Sequence, residues 1–182
     1  MTSAPAAPDP DLGRALIEAA TKASALVWLT VPGRSARPAW QVWEDGASYV
    51  VHAREDVAST EQPVPGLTGA GQVDVSVRGA ADGRVVTWRA AVAAPRPGSA
   101  EWDAALELLR GKRLNDPDRD GIPQRWAQTC VISVLTPTGE LIEQPGSYDR
   151  SSGSAPPPPS PATTVTRKPY VLGRRARRRP HL

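Results

Sequence analysis

Apolar positions Leu12, Ala15, Leu16, Ala19 and Ala23 recur at helical spacing behind Asp9 and Asp11, either of which can cap a helix. The pattern then changes. Residues 25–31, ALVWLTV, form a continuous apolar run that predicts a buried strand, and Pro32-Gly33 turns the chain. A second strand begins at WQVW (40–43) and a third at SYVVH (48–52), with Asp45-Gly46 between them as a hairpin signal. The stretch 61–71, EQPVPGLTGAG, has too many prolines and glycines for a regular helix and reads as a loop.

In the second half, Val73, Val75 and Val77 alternate with Asp74, Ser76 and Arg78, the signature of a half-buried strand. Asp82-Gly83 signals another hairpin, returning through 85–92, where Val86, Trp88, Ala90 and Val92 share one face and Thr87 and Arg89 the other. Ser99 is placed to cap a helix that carries Glu101 and Asp103 in its first turn and an apolar stripe of Trp102, Ala105, Leu106 and Leu109. A short helical piece around Arg125, Trp126 and Ala127 and a last strand at 130–135 complete the pattern. The predicted fold is mainly β (α+β): six mostly antiparallel strands closed into a small barrel, with two flanking helices. The expected organisation is an unstructured 1–10, a barrel domain over 11–143, and a disordered tail over 144–182, proline-rich and then arginine-rich.

Composition sharpens this picture at three points. Phe is absent and six tryptophans take the aromatic role; with the excess of Arg over Lys this reads as a GC-rich, actinobacterial type of sequence. The formal charge of +3 belongs to the tail: residues 167–182 hold seven Lys and Arg and no acid, so 15 basic residues face 19 acidic ones elsewhere, a balance of −4. A body of that sign offers no basic face for specific nucleic-acid binding, and the tail is left with nonspecific polyanion contacts. Finally, one cysteine and two histidines exclude an intrachain disulfide and the usual zinc set, and no metal site is expected. The amino terminus lacks the basic start and apolar run of a signal peptide, and no stretch has membrane-spanning length, so the expected location is cytoplasmic, with no membrane partner.

The stretch LNDPDRDGIP (114–123) starts like a calcium loop, with Asp116, Asp118 and Asp120 alternating ahead of Gly121. The twelfth position, where a bidentate Glu belongs, is Ala127, and no second loop accompanies it. The stretch therefore reads as a polar connector with a helix start, with weak calcium binding as the alternative.

The order of elements over 11–136 resembles the flavin-binding split barrel of the pyridoxamine 5′-phosphate oxidase-like proteins. Thr30-Val31, Arg37-Pro38, Val42-Trp43 and Asp45-Gly46 carry the likeness. The resemblance implies a homodimer that binds FMN, or a deazaflavin, in grooves at its interface and acts as an oxidoreductase on a small molecule the sequence does not specify. It further implies that the second and third strands supply the flavin contacts, at Gln41, Trp43, His52 and Arg54. In this family a basic pair after the third strand holds the phosphate. Residues 55–66 contain no Lys or Arg, which leaves Lys112 and Arg113 of the second helix as substitutes. The same gap supports the alternative of a cofactor-free barrel serving as a binding or structural module. Trp43 suits a flavin contact or, more readily, a dimer interface; Trp28, Trp88 and Trp102 are expected in the core, Trp40 and Trp126 are open, and Cys130 is expected to be a small buried hydrophobe.

Overall fold

The structure, a computed structural model, describes residues 10–79, 84–114, 116 and 118–148. The Asp82-Gly83 turn lies outside the described residues, as do residues 149–182 of the tail expected from 144 onward. The elements run α1 (Pro10–Lys22), β1 (Leu26–Thr30), β2 (Arg37–Glu44), β3 (Ala47–Ala53), β4 (Gln72–Arg78), β5 (Arg84–Ala93), α2 (Ala100–Lys112), α3 (Ile122–Thr129) and β6 (Cys130–Glu143). The six strands close into an antiparallel barrel in the order β1-β2-β3-β6-β5-β4, with β4 pairing back onto β1. No helix among the described residues is long and apolar enough to cross a membrane.

Alternation decides which side chains fill the barrel. Val27 and Leu29 of β1, Val73, Val75 and Val77 of β4, and Val86, Trp88 and Ala90 of β5 point inward with Val50 and Leu135, and all are buried. Trp43 meets Trp88 edge-to-face, with ring centroids 6.0 Å apart. It therefore lies in the barrel core rather than at a surface where a partner could cover it. Trp28 departs from the expectation in the other direction. It sits between the inward Val27 and Leu29, so it faces outward, where the Arg78 guanidinium lies 4.4 Å from its ring centre. An all-apolar strand gives no alternation from which to assign that face.

The Asp45-Gly46 hairpin forms as expected, both residues taking positive φ (47° and 77°) as a tight two-residue turn requires. Ser99 caps α2, its Oγ accepting from the Trp102 N–H at 3.2 Å. The short helical piece expected around Arg125, Trp126 and Ala127 forms a two-turn helix, α3, beside the two flanking helices. β6 runs far beyond the predicted 130–135, to Glu143. Pro137, which cannot donate to the ladder, sits where the β5 pairing shifts register, so the strand bends there instead of ending.

A second apolar cluster lies outside the barrel wall. Val42, Val51, Cys130 and Ile132 present their outward faces to Trp102, Leu106 and Leu109 of α2 and to Ile122 and Trp126 of α3. Helices α2 and α3 are thus held against β2, β3 and β6. That packing leaves the neighbouring part of the same wall open.

Candidate functional site

The open part of the wall is a groove of about 850 Å³ between the β2–β3 hairpin, the end of β5 and the first half of α2. Its floor follows from the strand registers. Val42 pairs with Tyr49, Tyr49 with Val134, and Val134 with Ala93, so one outward row crosses β2, β3, β6 and β5. At about 4.8 Å per strand, the stretch from Tyr49 to Ala93 spans roughly 10 Å. Ala104, Ala105 and Leu108 of α2 form the side wall. Small side chains at 93, 104 and 105 keep the space open, and Tyr49 supplies an aromatic face with a polar tip. The volume and mainly apolar lining are those of a small-molecule site.

Charges sit at the rim. Glu44, Asp45 and Glu101 line the groove with a single base, Arg96. Three acids against one base give the rim a balance of −2. The Glu101 carboxyl is held below its ordinary range by its own backbone N–H and by the Ser99 hydroxyl, so it is charged at neutral pH.

A smaller hollow of about 350 Å³ lies beyond Pro95, beside Trp102 and Cys130. Arg54 borders it, with its guanidinium taken: Nη2 lies 2.9 Å from Asp56 Oδ2 and Nε donates to Oδ1 at 3.1 Å. Hydrogen bonding to Asp56 raises the Arg54 pKa, and the same bond lowers that of Asp56.

The residues expected to hold a cofactor are not brought together. Gln41 points inward, donates from Nε2 to the Thr21 carbonyl at 2.9 Å and to that of Ser24, and accepts from the Ser48 hydroxyl at 2.9 Å. It secures the end of α1 to the barrel. Trp43 is in the core. His52 is buried, with Nε2 3.0 Å from the Ser133 Oγ and Nδ1 3.3 Å from the Ala53 carbonyl. That arrangement suits a neutral ring donating from Nδ1 and accepting the serine hydroxyl. Burial lowers the His52 pKa, against smaller opposing effects of the Ala53 carbonyl and Glu55.

Arg113 is also committed. Its Nη2 reaches both oxygens of Glu61 at 2.9 Å, Trp126 Nε1 donates to the same carboxylate at 3.2 Å, and the guanidinium lies 5.3 Å from the Trp40 ring centre. Lys112 is exposed at the end of α2 and lines neither the groove nor the hollow. The residues present around the groove do not fit an FMN phosphate, which carries close to two negative charges. The rim is acidic, and both expected guanidinium clamps already hold carboxylates. The groove residues themselves, Tyr49, Ala93, Ala104, Leu108 and Val134, were not singled out by the sequence. The available signal was the parity of β3: Tyr49 falls on the opposite face from Ser48, Val50 and His52.

The aspartate stretch resolves into local bonds. Asp116 is nearly buried; its Oδ2 lies 2.6 Å from Arg125 Nη2, and its Oδ1 accepts from the Asp118 N–H. Burial opposes its charge, but those hydrogen bonds prevail and lower its pKa. Asp118 accepts from the Gly121 N–H at 3.0 Å, and Asp120 is fully exposed, 3.5 Å from Arg110. Two of the three carboxylates thus organise the start of α3. No group of three candidate ligands converges as a metal site among the described residues.

No family model and no curated protein matches the chain. Among solved structures it is similar to a candidate pyridoxamine 5′-phosphate oxidase from Listeria innocua, at 12% identity and TM-score 0.44, over 73% of this chain and 97% of that one. It is also similar to HutZ, the heme storage protein of Vibrio cholerae, at 15% identity and TM-score 0.47, over 73% and 92%. An F420 reductase is similar at 18% identity and TM-score 0.39, over 66% and 92%.

Proposed function

We propose that the chain is a split-barrel protein that binds a planar, flavin-class ring in the groove between α2 and the outer wall of β3, β6 and β5. The observation that carries the reading is the outward row Tyr49, Val134 and Ala93, left open beneath the small side chains of α2. The sequence resemblance to flavin-binding split barrels supports the same ligand class. Because the rim is acidic and Arg54 and Arg113 are paired, recognition rests on the ring, and the uncharged riboflavin is held at least as well as FMN or a deazaflavin bearing acidic groups.

In this reading the chain binds, orients and dries one face of the ring, while a bound flavin would supply any hydride chemistry. Oxidoreductase activity and a homodimer belong to the same proposal. A second reading, a cofactor-free binding module, is favoured by the pairing of both expected clamps. Equilibrium titration of riboflavin and FMN, followed by flavin fluorescence with light scattering for the assembly, separates the two. Saturable quenching by the protein supports the first reading. Unchanged fluorescence with both flavins and with a deazaflavin leaves the second.

A further inference from the structure

The groove carries charge that a neutral ring leaves unused. Glu44 and Asp45 at the β2–β3 hairpin and Glu101 on the first turn of α2 line it, and none of the three forms an ion pair among the described residues. The base that lines it is Arg96. Beyond the hairpin, Glu18 and Lys22 share a smaller hollow with Glu44 and Asp45, and their charges cancel in the balance. The amino terminus of α2 would by itself attract an anion. It is already answered: the Ser99 Oγ accepts from the Trp102 N–H, and the Glu101 carboxyl takes its own backbone N–H and the Ser99 hydroxyl.

Strand register adds an aromatic group to these carboxylates. Val42 pairs with Tyr49 and Glu44 with Ala47, so Glu44 shares the outer face with Tyr49 as its diagonal cross-strand neighbour, roughly 7–8 Å away. The volume of about 850 Å³ lies in the upper part of the range of roughly 300–1,000 Å³ for small-molecule sites, so a ring on the floor leaves space beside it. An apolar wall, an aromatic ring and unneutralised carboxylates together match an organic ammonium. Its apolar body excludes water from the groove, which strengthens the attraction of its charge to the acids. The chain as a whole carries +3, so charge at large favours anions, and a preference for a cation must arise in the groove.

We propose that the acid-lined groove binds an organic ammonium, an amine on a small aromatic or alkyl body, with Glu44, Asp45 and Glu101 around the charge and Ala104 and Leu108 against the body. The amine is the small molecule held beside the ring, which rests on the flavin reading, while its own recognition uses only residues of the groove.

The test is isothermal titration of the full chain at low salt, with and without riboflavin, using phenethylamine, 2-phenylethanol and 3-phenylpropionate. Phenethylamine should bind saturably and about tenfold more tightly than the alcohol, the combined effect of three exposed charge pairs, with the propionate weaker still. High salt should erase the difference. Glu44→Gln with Asp45→Asn should lower the affinity for the amine about fivefold, leave that for the alcohol unchanged and keep the melting temperature. Asp120→Asn, which does not line the groove, should change neither affinity. If the double variant fails to fold, the ligand series and its salt dependence decide alone. Absence of saturable amine binding, equal binding of the alcohol or the propionate, a preference indifferent to salt, or an equal loss in Asp120→Asn would each overturn the proposal. Quenching of riboflavin fluorescence without a preference for the amine also overturns it and leaves the flavin reading standing. Amine binding with the expected charge pattern but no riboflavin quenching does the reverse.

Discussion

Glu61 anchors the long loop between β3 and β4, and its removal tests how that loop is held. Its carboxylate is 6% exposed, accepts from Arg113 Nη2 at 2.9 Å through both oxygens, and accepts from the buried Trp126 indole at 3.2 Å. Glu61→Ala removes a charge-assisted interaction worth about 1.5–3 kcal/mol and leaves a buried indole N–H without a partner, at about 1–3 kcal/mol. Arg113 is 25% exposed and regains some hydration, which keeps the total below the roughly 3–5 kcal/mol of a fully buried broken pair. The expected loss is about 3 kcal/mol. Glu61→Gln, which keeps an acceptor for the indole and sheds only the charge, should lose about 1 kcal/mol. With a urea slope of roughly 2 kcal/mol per molar, Glu61→Ala moves the midpoint down by about 1.5 M. Replacing Glu61 and Arg113 together with methionine should cost less than the sum of the single changes, since neither charge is then stranded. A loss below about 0.5 kcal/mol for Glu61→Ala, or equal losses for Ala and Gln, would show that the acceptor and the charge do not both matter.

Three further outcomes are expected. The lowered pKa of buried His52 means that its contribution to stability is complete above the unfolded value near 6.5 and is lost as pH falls from there toward the folded value. Urea midpoints measured from pH 7.5 to 5 should show that decline in the parent and a flatter profile in His52→Asn. Trp43→Ala opens the barrel core against Trp88 and should cost about 3–5 kcal/mol in the same assay; a cost under 1 kcal/mol would mean the ring is not core. Asp118→Asn with Asp120→Asn should change stability by less than about 0.5 kcal/mol with or without millimolar calcium, whereas Asp116→Asn, which weakens the Arg125 pair, should cost about 1 kcal/mol. A calcium-dependent rise in melting temperature, lost in the double variant, would show instead that the stretch binds the ion.

The barrel was legible because β4 alternates cleanly, Asp45-Gly46 admits one type of tight hairpin, and Ser99 with two acids marks a helix start. Strands rich in apolar residues on both faces were less legible. Trp28 and Trp43 look alike in sequence, yet one stacks under Arg78 outside and the other meets Trp88 inside. The far half of β6 was hidden because Pro137 signals an end unless a bulge accommodates it. The candidate site suffered most from the same ambiguity. Gln41, Trp43 and His52 carry polar or aromatic groups suited to a ligand, but strand parity turns them inward. The groove is instead built from alanines, a valine and a tyrosine, which have no chemical signature until the register aligns them. Long-range pairing hid the fate of the charges in the same way: nothing local shows that Arg113 meets Glu61.

A planar ring held in the groove between α2 and the row from Tyr49 to Ala93 would be displaced by filling that groove. Riboflavin titration of Ala104→Trp measures this. Ala104 is exposed on α2 and lines the groove, so an indole there fills the space with little effect on the core. The expected result is saturable quenching of riboflavin fluorescence by the parent and at least a tenfold loss of affinity in Ala104→Trp, at an unchanged melting temperature. Riboflavin binding of equal affinity in both proteins would contradict it.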